Sequence, residues 1–334
     1  LPLTLLVPDL LSPPDAPAEM RGLRLPGIEK WLARSTLARV PARGGDAWLA
    51  AEHGLAGEVP HAAIALAGDA GPREGTWMHA DPVHLRINRD AVALHDASVL
   101  DIGAHEARDF VAALQALFRN DAFTFIAPAP DRWYVCIDSR QAPKTTPLHE
   151  AIGRNIFGLL PEGSGTFNWR SAITEAQMVL SNHEANARRE RAGQPSVNSV
   201  WFWGVGETPA NVQRRFRHIH ADAPFARGLA ALAGSELHAV PASLAALRDV
   251  TANEDTLVVL DALTRPRRAA NLTAWHDAAR ELDAHWFADL GQAAANFGGV
   301  RLVLPVDDAV KVATISPGAR WRFFTARKPL GAHA

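Results

Sequence analysis

The sequence predicts an α/β protein with a smaller α+β insert, on three observations. Short apolar runs ending abruptly at proline or aspartate recur along the 334 residues, at 4–7, 256–260 and 300–304. In the last third such runs alternate with helical periodicity, as in a sheet built through crossovers. Residues 197–241 read as one complete crossover: a buried strand, a glycine turn, a connecting segment, a helix, then another short strand.

In order along the chain, residues 4–7 form an apolar strand closed by Pro8-Asp9, followed by a proline-rich loop over 12–17 and a helix over 26–33. Residues 42–58 mix helical and glycine-rich text, and 60–67 fit either a buried strand or a helix start. The text changes near Trp77. His84-Leu85-Arg86-Ile87-Asn88 alternates polar and apolar as a half-buried strand does, and 91–94 continues it. Ala107, Phe110, Val111, Leu114 and Leu117 define an amphipathic helix over 104–118. Strands at 123–127 and 133–138 flank the turn Ala129-Pro130-Asp131, and a polar helix covers 174–191. Val200-Trp201-Phe202-Trp203 is β-prone and stopped by Gly204 and Gly206; 225–233 is helical with Gly234 as its C-cap; 236–240 is a strand. A strand at 256–260 ends in Asp261. A long helix at 272–295 aligns Trp275, Ala279, Leu282, Trp286 and Leu290, a strand at 300–304 runs into Pro305-Val306-Asp307-Asp308, and 321–324 is the last strand. These elements predict a core of residues 1–78 and 208–334 and an inserted α+β domain of residues 79–207.

Composition narrows the function classes. A hydrophobic content of 48% with 21% charged residues is that of an ordinary globular chain, and a net charge of −2 offers no electrostatic attraction to nucleic acid or anionic membrane. No apolar run reaches the length of a membrane span, and no basic region precedes the first apolar stretch, so a cytoplasmic location is expected. The single cysteine, Cys136, stands in strand text and reads as a buried thiol, which excludes an internal disulfide or a thiolate cluster. Ten tryptophans against one tyrosine point to a tryptophan-rich core or to an aromatic ligand box.

Three strands end in aspartate: Asp9, Asp261 and Asp307. Ligands of open α/β sheets sit beyond the carboxyl ends of the strands, so these carboxylates could converge on a cation; each could equally be a turn or cap residue. Among the histidines, His79, His84, His218 and His220 invite a metal reading. His218-Ile219-His220 would place two imidazoles on one side of a strand, but the segment reads as an irregular connection with no third ligand at recognisable spacing. Glu175, Gln177, Asn186, Arg189, Glu190 and Asn198 form a polar group that is either a hydrogen-bonding floor or a solvated helix face.

Residues 197–241 resemble the cofactor-independent phosphoglycerate mutases, especially the archaeal type, where an apolar run and Gly-x-Gly precede a segment close to Lys-Gly-Ile-x-x-x-x-Gly. Arg227-Gly228-Leu229 to Gly234 is the counterpart. Asp81 to Asn88 resembles Asp-Val-Ala-Phe-Arg-x-Asn, Asp101-Ile102 to Glu106-Ala107 resembles Arg-Ile-x-x-x-Glu-Ala, and His183-Glu184-Ala185-Asn186 resembles His-Pro-Val-Asn. The resemblance implies an alkaline-phosphatase-like core sheet with helices on both faces. It puts Asp9, Asp261 and Asp307 at the family's metal aspartates, Arg227 at its substrate-phosphate lysine, and Arg86 with Asn88 at its Arg-x-Asn position facing the interdomain cleft. It also exposes departures. Arg265 and Asp308 stand where the family has histidine ligands, and no histidine follows until His333. Leu25 precedes Pro26 where the nucleophilic Ser or Thr belongs, with Ser35 and Thr36 on the wrong side of the helix start. A hydroxyl nucleophile and a neutral or anionic donor set are what covalent phosphoryl transfer on a metal requires, and an arginine cation among the ligands repels the metal.

The expectation is therefore a degenerate, non-catalytic member, of the group described as RpfE-type regulatory proteins, with no cofactor. A small phosphorylated or carboxylated ligand would be held by Arg86, Asn88, Asn186, Arg189, Asn198 and Arg227. Two alternatives stand beside it: an active Mn²⁺- or Mg²⁺-dependent mutase or phosphatase with remodelled ligands (Asp9, Asp261, Asp307, Asp308), and a module that binds a protein partner.

Overall fold

The computed structural model describes residues 3–11, 20, 22–88, 91–163, 167–249, 254–306, 309–322 and 325–333. Asp307 and Asp308 lie outside them. In chain order the elements are β1 (Leu3–Leu6), α1 (Pro26–Leu32), β2 (Thr36–Pro41), α2 (Gly44–Glu52), α3 (His61–Ala70), β3 (Thr76–Asn88) and β4 (Ala91–His95). Then come α4 (Ala104–Leu117), β5 (Thr124–Ala129), β6 (Arg132–Ile137), α5 (Leu148–Ala151), α6 (Trp169–Ser181), α7 (Glu184–Arg191) and β7 (Ser199–Glu207). The last group is β8 (His218–His220), α8 (Pro224–Ala233), β9 (Glu236–His238), β10 (Thr256–Val259), α9 (Thr264–Arg268), α10 (Leu272–Leu282), α11 (Leu290–Asn296), β11 (Val300–Val306) and β12 (Ala309–Ile315).

These form two compact units, Leu1–Gly57 with Asn211–Ala334, and Glu58–Ala210. The first holds a seven-stranded sheet in the order β2-β12-β11-β1-β10-β8-β9. From β11 to β9 the pairing is parallel, and β12 and β2 add an antiparallel edge. A parallel sheet covered on both faces needs strands that are apolar throughout, and every residue of β1 and β10 is buried. Leu3 and Leu5 point into a core with Trp31, Trp275, Trp286 and Leu290, while Leu6 meets α2 at Gly45 on the opposite face. Each such leucine contributes about 1.5–3 kcal/mol by burial. The α/β core with helices on both faces of its sheet, expected from the sequence, is the architecture of this unit.

The second unit is an antiparallel five-stranded sheet, β4-β3-β6-β5 with β7 on the other side of β3. Strand alternation divides its side chains. Met78, Ala80, Trp133, Val135 and Phe202 face α4 and α6, whereas Trp77 and Tyr134 face α3. Residues 58–78, expected within the core, therefore begin this unit, because α3 packs on β3 and β7. Close approach explains two glycines. A Cβ on Gly204 would lie 3.0 Å from His61 Cβ, and one on Gly206 2.5 Å from Pro60 Cβ. The glycines do not stop β7, as the sequence suggests; they let it run beneath the start of α3.

Other expectations change for local reasons. The helix expected over 174–191 starts at Trp169, where Asn168 caps it, and breaks at His183, whose Nδ1 accepts from the Ala185 amide at 3.2 Å and starts α7. The helix over 272–295 is interrupted by a π-turn, Asp283–Phe287. Of the strand expected over 321–324, Trp321 closes a 3₁₀ turn, Pro317–Trp321, and Phe323 and Phe324 lie outside the described residues. The last strands among the described residues are β11 and β12, and His218-Ile219-His220 is a strand rather than an irregular connection. Nine of the ten tryptophans are buried, with only Trp321 exposed, which favours a tryptophan-rich core. No helix among the described residues is long and apolar enough to cross a membrane.

Candidate functional site

β1, β10 and β8 are neighbours and parallel, so their carboxyl ends share one edge of the sheet. Asp9 follows β1, Asp261 follows β10, and Asp222, not singled out from the sequence, follows β8. Asp222 was hidden because the strand before it is only three residues long. Asp9 has a left-handed backbone with φ of 60°, and its carbonyl accepts from Trp275 Nε1 at 3.0 Å. The Asp261 carboxyl is pushed up from its ordinary value, by burial first and then by the charge of Asp222. Its own backbone amide and Arg268 oppose that, and Asp46 at the start of α2 adds to it.

Among the described residues, no three His, Cys, Asp or Glu donors that include Asp9 or Asp261 lie within 4.8 Å of one another. α9, directly after Asp261, carries Arg265, Arg267 and Arg268, and Arg265 occupies the position of the expected histidine. Of these, Arg268 is near enough to act on the Asp261 carboxyl, and Arg265 offers a cation where a metal would need a neutral or anionic donor.

The start of α1 is where a nucleophile would be presented. Leu25 is its N-cap residue and is 1% exposed, so an apolar side chain fills the place of a hydroxyl. Pro26 at the first helical position has no amide to offer. Gly27 and Ile28 donate their amides to Asp283 Oδ2 and Oδ1 at 2.9 and 2.8 Å. The Leu25 amide points to Glu29 Oε1 at 3.4 Å. Glu29 is buried and also accepts the fork of Arg24 and the Leu330 amide; its pKa is lowered, chiefly by the Arg24 hydrogen bond. Every amide from Leu25 to Ile28 thus faces a carboxylate of the chain itself. A helix start that could cradle a phosphate is filled from within. Asp283 reaches it from the π-turn, a detail no helical periodicity could announce.

The candidate ligand residues divide in two. Arg227 lies in the first turn of α8 and is half-exposed. Arg86, in the second unit, is exposed on β3, which also holds Asn88. The other three are engaged structurally. Asn186 is buried, donates to Leu180 O and Val197 O at 2.7 and 2.9 Å, and accepts from the Val197 amide at 2.8 Å. Arg189, 2% exposed, bonds Pro195 O at 2.6 Å, Glu106 Oε2 at 2.7 Å and Leu100 O. Asn198 copies a backbone pair, accepting from the Leu85 amide at 2.7 Å and donating to Leu85 O at 2.9 Å. As ligand-binding residues these three are corrected: their hydrogen-bonding groups are spent on the fold.

No family model matches the chain. It is similar to the probable 2,3-bisphosphoglycerate-independent phosphoglycerate mutase of Geobacter sulfurreducens, at 24% identity over 67% of this chain and 61% of that protein. It is also similar to the 2,3-bisphosphoglycerate-independent phosphoglycerate mutase of Methanosarcina barkeri, at 29% identity over 40% of this chain and 35% of that one. The matched regions thus span under two thirds of these curated relatives. The PH0037 protein of Pyrococcus horikoshii has the same fold, with a TM-score of 0.54 and 14% identity over 99% of this chain and 92% of its own. Homologues bearing the mutase name support the family that the motifs resemble.

Proposed function

We propose that this phosphoglycerate-mutase-like chain has lost phosphoryl transfer and acts as a regulatory protein, of the RpfE type, that binds a small phosphorylated or carboxylated acid. The observation that carries this reading is the closed start of α1: a buried Leu25 where a nucleophile would stand, and the Gly27 and Ile28 amides taken by Asp283. Covalent phosphoryl transfer needs a hydroxyl able to attack and room beside it for three phosphate oxygens. Neither remains. Arg227 keeps an always-charged planar fork suited to a phosphate or carboxylate, which supports binding without turnover.

Calorimetry with 2- and 3-phosphoglycerate tests the binding. Saturable heat that disappears in Arg227→Ala is the expected result; no heat at millimolar ligand in either protein sinks it.

One observation favours an alternative, an active metal-dependent mutase or phosphatase with remodelled ligands. Asp261, raised by burial and by Asp222, would be relieved by a nearby divalent cation. Manganese-dependent phosphatase activity that disappears in Asp261→Asn would establish this reading, and its absence rules it out.

A further inference from the structure

β8 and β9 pair in parallel at the edge of the seven-stranded sheet, with His218 opposite Glu236 and His220 opposite His238. Side chains two apart share a face, so this register gathers three imidazoles and a carboxylate on one side of two short strands. Single donor atoms of His218, Glu236 and His238 all lie within 4.8 Å of one another. His218 Nδ1 is 3.1 Å from His238 Nε2 and 3.4 Å from Glu236 Oε2. Donors at the vertices of a tetrahedron around a cation with bonds of about 2.0–2.1 Å stand roughly 3.3–3.4 Å apart.

The surroundings orient these donors. Glu254 Oε2 meets His218 Nε2 at 2.5 Å, so Nε2 is the nitrogen that donates to the carboxylate and Nδ1 is the nitrogen turned towards Glu236 and His238. Arg217 holds Glu254 Oε1 at 2.5 Å and reaches Glu236 Oε1 at 3.4 Å, leaving Glu236 Oε2 turned to His218. His220 stacks on His238, with centroids 4.9 Å apart and planes at 28°, and donates from Nδ1 to Ala239 O at 3.0 Å. Both ring nitrogens of His218 and the plane of His238 are thereby set before any ligand arrives.

The geometry points to a divalent-cation site of zinc class on the β8–β9 face, with His218 Nδ1, His238 Nε2 and a Glu236 oxygen as ligands and Glu254 as the carboxylate behind His218. Two imidazoles and one carboxylate form a borderline nitrogen–oxygen set that selects zinc, cobalt, nickel or copper over magnesium and calcium. The fourth position opens outward, since Glu236 and His238 are exposed. The site is distinct from the aspartates at the carboxyl ends of the strands, and it fastens edge strand β9, whose Leu237 is 44% exposed, to its neighbour.

The test is zinc titration of the untagged full chain against a chromophoric chelator. One Zn²⁺ per chain is expected, with affinity at least about 100-fold lower in His238→Ala or Glu236→Gln and about 10–100-fold lower in Glu254→Gln. Asp261→Asn should leave stoichiometry and affinity unchanged. Both His238 and Glu236 are exposed, so at least one of their variants is expected to retain the wild-type fold by circular dichroism. Absence of stoichiometric zinc, zinc retained in folded His238→Ala or Glu236→Gln, or zinc lost in Asp261→Asn overturns the proposal.

Discussion

β8 serves two regions of the same sheet, and they differ in how chemistry is assembled. Beyond its carboxyl end stands Asp222, on the same sheet edge as Asp261 and Asp9, of which the last two announce themselves by following an apolar strand. Burial first, and then the charge of Asp222, raises Asp261, yet no three donors there close into a ligand set among the described residues. On its face, His218 meets Glu236 and His238 from the next strand, and the donors do close. Strand-end position is a weak guide to a site. Cross-strand register, which depends on how residues separated by a helix come to lie side by side, is a strong one.

The largest predicted effect lies outside that sheet and calibrates the others. Arg189→Ala leaves the Glu106 carboxylate without its buried partner and should lower unfolding free energy by about 3–5 kcal/mol in chemical denaturation. If Arg189 were instead a ligand residue, its loss would weaken phosphoglycerate binding with little effect on stability. Next is Asp283→Ala, which orphans the Gly27 and Ile28 amides and should cost about 2 kcal/mol by the same measurement, with Asp283→Asn recovering part of it. A cost near zero would show that the α1 start is open, removing the contrast between a closed rim and an open face.

Asp261→Asn should change stability in the opposite direction. The native carboxyl has a raised pKa, so the folded state binds more protons than the unfolded state between the ordinary and the raised value, and stability falls as pH rises through that window. At pH 7 the amide should therefore melt higher, by about 1–2 °C, and the gain should vanish once the wild-type carboxyl is protonated in acid. The smallest effect is expected from Arg227→Ala, within about 0.5 kcal/mol of wild type in stability, because its side chain is half-exposed on the surface of α8. Its consequence should appear only in ligand calorimetry.

Much of the fold was legible because apolar runs and caps are local. β1, β10 and β11 stand out as continuous hydrophobic text, and Pro224 and Gly234 bracket α8, with Gly234 left-handed at φ of 66°. β2 escaped because an edge strand exposed along its whole length lacks an apolar face. The split of the long helix at Asp283 escaped because a π-turn preserves the periodicity on either side. Of the candidate site, Leu25 and Arg265 were readable as departures from a resemblance, whereas Asp283 capping α1 from more than 250 positions away was not. Arg189 and Asn186 were misread because a polar side chain bonded to buried carbonyls looks, in sequence, the same as one waiting for a ligand.

The most direct test of the central claim is an assay of 2- and 3-phosphoglycerate interconversion by the untagged chain with Mn²⁺ or Mg²⁺. A chain whose α1 start is closed by Leu25 and Asp283 should give a rate equal to buffer with either metal. Metal-dependent interconversion above that background, abolished in Asp261→Asn, would contradict the account.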